Sequence, residues 1–291
     1  MNYNPILQRI WRKFLRIFFH DQWVILLGAN KKYDELSWND LKYLKPPHDR
    51  FWADPFLWQK DGISYIFFEE FLYSNNRGRI VCASLDNEMN ISNLETVLER
   101  PYHLSYPFIF EFDNNLFMIP ETKENRTIEV YRCLRFPNRW AFETTLLDNL
   151  NAVDSTLLNH NGKWWLFVNI ESTGSSYDSL FLFYSDNPLS ATWTPHPHNP
   201  VINSIKSARP AGRIFADGNN LIRPSQDCSL RYGYAINFNK ITTITELDYA
   251  EINLSTFRPN EKDRNIGTHT FNFTGNITAI DAMQRRSRFF E

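Results

Sequence analysis

The feature that most constrains this chain is a phrase that recurs along it. Phe56 to Glu70 reads FLWQKDGISYIFFEE, Phe108 to Thr122 reads FIFEFDNNLFMIPET, and Thr156 to Ile170 reads TLLNHNGKWWLFVNI. Arg213 to Asp227 reads RIFADGNNLIRPSQD, and Thr270 to Met283 gives a degenerate fifth copy, TFNFTGNITAIDAM. Each copy is a short apolar strand, a tight polar turn and a second strand rich in aromatic and aliphatic residues. The copies start about 50 to 60 residues apart, and paired strands repeating at that length predict a radial array of four-stranded blades. The turns Asp61-Gly62, Asn114-Asn115, Asn161-Gly162 and Asn219-Asn220 use residues that tolerate the positive φ of two-residue hairpins. Runs such as Tyr65-Ile66-Phe67-Phe68 and Trp164 to Val168 suit inner strands packed on both faces. Arg79 to Ser84 and Leu180 to Ser185 fit as third strands. A single blade cannot bury its own faces, so the copies must stack. The chain is therefore expected to be an all-β, five-bladed β-propeller over residues 22–291.

Composition narrows the class further. A hydrophobic content of 43% with 16% aromatics supplies a core, and a net charge of −2 gives no general attraction to nucleic acid. The three cysteines, Cys82, Cys133 and Cys228, are widely spaced and odd in number, which argues against a disulfide framework or a zinc cluster. No metal and no cofactor are expected. No apolar run approaches the roughly 18 residues of a membrane span. Residues 1–21 read differently. Asn4-Pro5 suits a helix start, Ile6, Leu7, Ile10, Trp11, Phe14, Leu15 and Phe18 fall on one face, and Arg9, Arg12, Lys13 and Arg16 on the other. This predicts a basic amphipathic helix, packed on the propeller or, through residues 4–19, lying on an anionic membrane surface. Basic residues interrupt its apolar run, unlike a signal peptide, so a cytoplasmic protein is expected, peripheral at the inner face of the membrane in the second case.

Candidate chemistry sits at the ends of the phrases. Asp54 and Asp154 stand just before the first and third copies, Tyr106 before the second, Arg209 before the fourth and His269 before the fifth. Glu69-Glu70, Glu121 and Asp227 stand at the far ends. In a propeller these positions meet at one central opening. Several carboxyls facing one site suit glycosyl chemistry, where one group stays protonated to donate while another stays ionised. Asp54, Asp154, Glu121 and Glu70 are the candidate catalytic groups. Glu69 and Glu70 alternate in facing, so at most one points inward. Arg209, Arg223, Gln226, Asp227 and His269 are candidate binding groups, the arginines for phosphate or carboxylate. Trp52 and Tyr106 are candidates for stacking on sugar rings. Each acid has an ordinary alternative, since Asp before a strand often caps a turn.

The stretch Phe51-Trp52-Ala53-Asp54-Pro55-Phe56, with Phe67-Phe68-Glu69-Glu70, resembles the five-bladed superfamily of arabinanases, β-xylosidases, fructan-active enzymes and β-mannoside phosphorylases. A larger set resembles, more closely, the N-terminal domain of plant glucosamine inositolphosphorylceramide transferases and its bacterial stand-alone relatives. That set is Ala53 to Phe56, Ser105-Tyr106-Pro107, Pro120-Glu121-Thr122, Val153-Asp154-Ser155, Ser207 to Gly212, Ile222 to Asp227, Tyr232-Gly233-Tyr234 and Gly267 to Thr270. The resemblance implies that Asp54 matches a first-blade base or nucleophile. Where the hydrolases place a second-blade Asp, this chain has Tyr106, with Glu121 the nearest substitute.

Three functions follow as expectations. The first is a glycosyltransferase of bacterial surface-polysaccharide assembly (O-antigen or capsule type). It would take a nucleotide-sugar donor and a glycan or lipid-linked glycan acceptor, with Arg209, Arg223 and His269 at the donor phosphates. The second is a glycoside hydrolase or phosphorylase. The third is a non-catalytic glycan-binding module.

Overall fold

The computed structural model describes residues 19–29, 32–171, 174–260, 262 and 264–287. The chain forms five antiparallel sheets. Blade 1 runs Arg50–Lys60, Ile63–Leu72, Arg77–Leu85, Ile91–Leu98 from its inner to its outer strand. Blade 2 runs Ser105–Phe112, Asn115–Glu121, Thr127–Arg135, Arg139–Asp148. Blade 3 runs Ala152–His160, Lys163–Ile170, Ser179–Ser185, with two short outer pieces, Thr194–Pro195 and Ile202–Asn203. Both pieces lie in the proline-bearing segment 187–203. Blade 4 runs Phe215–Asp217, Asn220–Asp227, Ala235–Ile244, Tyr249–Phe257.

Blade 5 is built from both ends of the chain. Phe271–Thr274 pairs with Ile277–Ser287, which pairs along its full length with Phe19–Ala29, which in turn pairs with Lys42–Leu44. The amphipathic helix expected over residues 1–21 lies outside the described residues up to residue 18, and from Phe19 the chain is already β-strand. Among the described residues no helix is long and apolar enough to cross a membrane.

The apolar runs follow from blade stacking. Along Val24-Ile25-Leu26-Leu27, Val24 and Leu26 pack with Ile222, Ile236 and Phe238 of blade 4, whereas Ile25 and Leu27 pack with Trp52, Ile66 and Phe68 of blade 1. Side chains alternate across a strand, so a strand covered on both sides must be apolar at every position. Blades 1 and 2 meet through Phe67, Ile80, Ile109 and Met118, and blades 3 and 4 through Trp165, Phe167, Ala208 and Ile214. Blades 2 and 3 meet through Phe108, Ile119, Leu166 and Val168. Every seam of the ring thus has its own apolar layer, each fully buried Ile, Leu or Phe contributing about 1.5–3 kcal/mol.

The hairpin turns carry positive φ at Asp61-Gly62, Asp113-Asn114 and Asn161-Gly162, and at Gly218 and Gly275. Two turns therefore sit one residue earlier than the sequence suggested, because Phe112 pairs with Asn115 and Asp217 with Asn220. One glycine has a steric role at a seam. Gly212 has φ +124°, and a Cβ there would stand 2.0 Å from the carbonyl oxygen of Phe271. Gly212→Ala is expected to destabilise the protein by at least about 2 kcal/mol, read as a lowered urea midpoint at unchanged slope.

Candidate active site

The inner strands of blades 1, 2 and 3 each contain a bulge near their start. The pairing registers shift between Ala53 and Phe56, Ser105 and Phe108, and Val153 and Thr156. Within each bulge one residue is left-handed: Asp54 (φ 52°), Tyr106 (φ 45°) and Asp154 (φ 54°). An extra residue bends the strand and re-aims its side chain, a device common beside functional sites. The bulges lie at the end of the inner strands opposite the hairpin turns, so they gather at one mouth of the ring.

Asp54 is 4% exposed. Its Oδ1 accepts from Thr270 Oγ1 at 2.6 Å and lies 3.6 Å from His269 Nε2, and its Oδ2 accepts from the backbone N–H of Tyr106 at 3.2 Å. Burial pushes its pKa up to about 6, His269 opposing and Asp154 and Asp281 adding to the rise. Asp154 Oδ2 accepts from Arg209 Nε at 2.6 Å and from Gln226 Nε2 at 2.8 Å. The Arg209 guanidinium also donates to Ser176 O at 3.3 Å and faces the rings of Tyr232 and Tyr177 at 4.8 and 5.8 Å. Glu121 lies 3.8 Å from Arg209 Nη2, and its Oε2 makes no hydrogen bond. Burial and then the Asp154 charge push Glu121 up to about 8, against the pull of Arg209. The structure thus brings Asp54, Asp154, Glu121, Arg209, Gln226 and His269 together.

Five sequence candidates are placed elsewhere. Glu70 points away from this cluster. It accepts from Arg50, Trp52 and both Nε and Nη2 of Arg79, and although burial raises its pKa these donors outweigh it and hold it below the usual range. Trp52 packs in the seam between blades 5 and 1, its indole N–H on Glu70, and has no face open for stacking on a sugar. Tyr106 is wholly buried. Its hydroxyl accepts from Gly212 N at 2.7 Å and meets Thr156 Oγ1 at 2.8 Å, bolting blade 2 to blades 3 and 4. Arg223 binds Glu251 on the outermost strand of blade 4 through two 2.7 Å bonds and donates to Ser207 O at 2.6 Å. It is a structural clamp of its blade. Asp227 turns back to its own chain, accepting from Ser229 N at 2.9 Å.

Other groups join the site without having been singled out as candidates. Glu69, not Glu70, is the inward member of its pair. Burial and then the charges of Asp54, Glu121, Asp281 and Asp154 raise its pKa well above the ordinary range. It lies 3.4 Å from Nε2 of His103, whose Nδ1 accepts from Gly78 N. The register gives the reason: Ala53 pairs with Glu69 as Ser105 pairs with Glu121 and Val153 with Asn169. The three sit at the same offset from Phe56, Phe108 and Thr156, a signal that counting along the repeats would have found. Asp281, Thr270, Trp23 and Tyr232 complete the set. The imidazole of His269 stacks on Trp23 at 4.0 Å and meets Tyr232 edge-on at 5.2 Å.

Asp54, His269 and Asp281 each offer an atom within 4.8 Å of the others, a spacing that would suit a cation. Those atoms are already committed to one another and to backbone N–H groups. The donor set therefore fits an internal ion-pair network better than a metal.

The ring of five blades is a fold that several glycoside hydrolases share. The catalytic domain of the Coprinopsis cinerea GH62 alpha-L-arabinofuranosidase superposes with a TM-score of 0.61 at 10% identity, over 91% of this chain and 96% of that one. A family 117 glycoside hydrolase of Zobellia galactanivorans gives 0.58 at 13% identity, over 90% of each chain. At such identity the likeness shows the fold alone.

The family described as "Glucosamine inositolphosphorylceramide transferase 1, N-terminal" matches residues 44–280, and this chain belongs to it. Glucosamine inositolphosphorylceramide transferase 1 of Oryza sativa subsp. japonica is 37% identical over 211 residues, 69% of this chain and 28% of that protein. Its counterpart in Arabidopsis thaliana is 36% identical over 208 residues, 69% of this chain and 27% of that one. The chain thus spans less than a third of the curated relatives it matches. These relatives overturn the expectation of a bacterial surface-polysaccharide transferase, because they are plant proteins named for inositolphosphorylceramide.

Proposed function

We propose that this chain is a carbohydrate-active enzyme domain whose central site acts at the glycosidic bond of an amino sugar. The observation that carries the reading is the contrast between two buried carboxyls of one site. Glu121, at about 8, holds its proton at neutral pH and has an Oε2 that makes no hydrogen bond, whereas Asp54, at about 6, is mostly ionised there. That is the acid and base pairing glycosyl transfer needs. Glu121 donates to the departing oxygen, and Asp54 stabilises the developing cation or activates the incoming nucleophile. Asp154, held by Arg209 and Gln226, fixes the floor of the site.

Charge favours an amino sugar. Even with Glu121 protonated, four further carboxyls, Asp54, Glu69, Asp154 and Asp281, share the site with the two basic side chains Arg209 and His269. An ammonium group relieves that excess, and the relatives are named for glucosamine. The same excess disfavours a diphosphate at Arg209 or Arg223, whose guanidiniums already hold carboxylates. Transfer to an acceptor other than water is supported by the relatives' name and by Tyr106 standing where hydrolases place an acid.

The test is a panel of aryl and nucleotide glycosides of glucosamine and N-acetylglucosamine, with and without glycan and lipid acceptors, read by mass spectrometry. Wild type is expected to turn over at least one, and Asp54→Asn to lose at least about 10²-fold in rate. A panel untouched by wild type, yet bound equally by Asp54→Asn, would replace the enzymatic reading with a binding one.

A further inference from the structure

The geometry points to Asp281 as a positioning residue: a single buried carboxylate that docks blade 5 onto blade 1 and aims His269 and Thr270 at Asp54. This deepens the proposed function and, where turnover is concerned, rests on it.

Asp281 lies in the second strand of blade 5 between Ile280 and Ala282 and is wholly buried. A carboxylate in such surroundings is tolerated only when its oxygens are fully occupied. Oδ1 accepts from the backbone N–H of His269 at 2.9 Å and of Thr270 at 3.0 Å. Oδ2 accepts from the backbone N–H of Asp54 at 3.1 Å and lies 2.6 Å from Nδ1 of His269. Three of these four groups are backbone donors, so their positions are set by the fold. They come from two blades, and one carboxylate spans the joint.

The fourth group is the imidazole, whose orientation follows from the other three. With Nδ1 turned to Asp281, the opposite edge faces Asp54 Oδ1, 3.6 Å from Nε2. Thr270, held by the same carboxylate through its N–H, places its hydroxyl 2.6 Å from that oxygen. Trp23 stacked on one side and Tyr232 set edge-on keep the ring from swinging out. Gly233 makes the fit possible, since a Cβ there would stand 3.0 Å from both His269 and Trp23. The titratable groups facing the imidazole are Asp281, Asp54, Tyr232 and, farther off, Asp154. Burial opposes a charge on His269, but Asp281 and then Asp54 outweigh it and raise its pKa. Asp281 itself contacts no reacting atom and acts through the two residues it aims.

The variant Asp281→Asn keeps the size and the acceptor oxygen and removes the charge. Protein labelled with ¹⁵N-histidine lets each imidazole be titrated by NMR, the His269 signal being the one lost in His269→Gln. Wild-type His269 is expected to titrate above the ordinary histidine midpoint. In Asp281→Asn its midpoint should fall by roughly one pH unit or more, a tenfold loss of proton affinity, with the other histidines unmoved. Where a substrate is in hand, the acidic limb of kcat/KM moves while KM changes little. Equal titration of His269 in both proteins would overturn the proposal. Should Asp281→Asn not fold, a wild-type His269 that titrates at or below the ordinary histidine midpoint of 6.5 overturns it alone. Neither reading needs turnover, so inactivity toward every glycoside would fall on the proposed function and leave this inference standing.

Discussion

Arg223→Ala is expected to unfold the protein at markedly lower temperature without touching the chemistry of the central site. The guanidinium and Glu251 form a two-point ion pair, with side chains only 1% and 9% exposed. Removing one partner of a buried pair leaves the other charge uncompensated, at a cost of about 3–5 kcal/mol. For a chain of this size that corresponds to a fall in Tm of roughly 5–8 °C. The hydroxyl of Tyr249 still donates to Glu251 Oε2 at 2.5 Å, so the loss is softened rather than complete. A double variant, Arg223→Met with Glu251→Leu, should recover most of the stability, because an apolar pair of similar volume replaces both charges at once. Differential scanning calorimetry of the three proteins decides the matter. Near-wild-type Tm in Arg223→Ala, together with loss of a phosphorylated ligand, would return Arg223 to a ligand-binding role.

Arg223 shows where sequence reading stops. The stretch Arg223-Pro224-Ser225-Gln226-Asp227 is polar where the other copies are apolar, and polarity alone marked it for a ligand. Alternation divides the strand: Gln226 faces Asp154, while Arg223 turns to Glu251. Which face is which depends on the register against neighbouring strands. The five hairpins were legible because turn residues and apolar runs are local, and so were Asp54 and Asp154, which stand at the head of a repeat. Glu69 was within reach by counting, yet adjacent acids look alike without a register. Asp281 was hidden for a different reason. Its donors are backbone N–H groups of residues 54, 269 and 270, and such groups leave no trace in side-chain chemistry. Trp23 reaches the site only because the N-terminal strand pairs with the C-terminal one, a joint that no local pattern announces.

Glu121→Gln is expected to move activity and stability in opposite directions. Activity requires the acid to hold a proton and Asp54 to have lost one. The wild-type kcat/KM profile should therefore be a bell, its limbs near 6 and 8 as macroscopic values of the coupled set. Glutamine cannot donate a carboxyl proton, so turnover should fall by about 10²–10⁴-fold and the alkaline limb disappear. Stability follows from linkage. The folded pKa of Glu121 lies above its ordinary value of 4.5, so the native state binds a proton the unfolded chain has released. That stability is fully present below about 4.5 and is lost as pH rises toward about 8, by roughly 1.4 kcal/mol for each unit within the window. Glutamine does not ionise and escapes the loss. Urea melts at pH 5 and pH 8 should show the variant gaining on wild type at the higher pH. Glu69 is raised in the same direction and partly by the Glu121 charge, so its contribution shifts in the variant in the same sense and adds to the gain. A variant that loses activity but shows no gain at pH 8 would mean that Glu121 is ionised in the folded protein, and the proton donor would then have to be sought at Glu69, the other acid whose pKa burial raises.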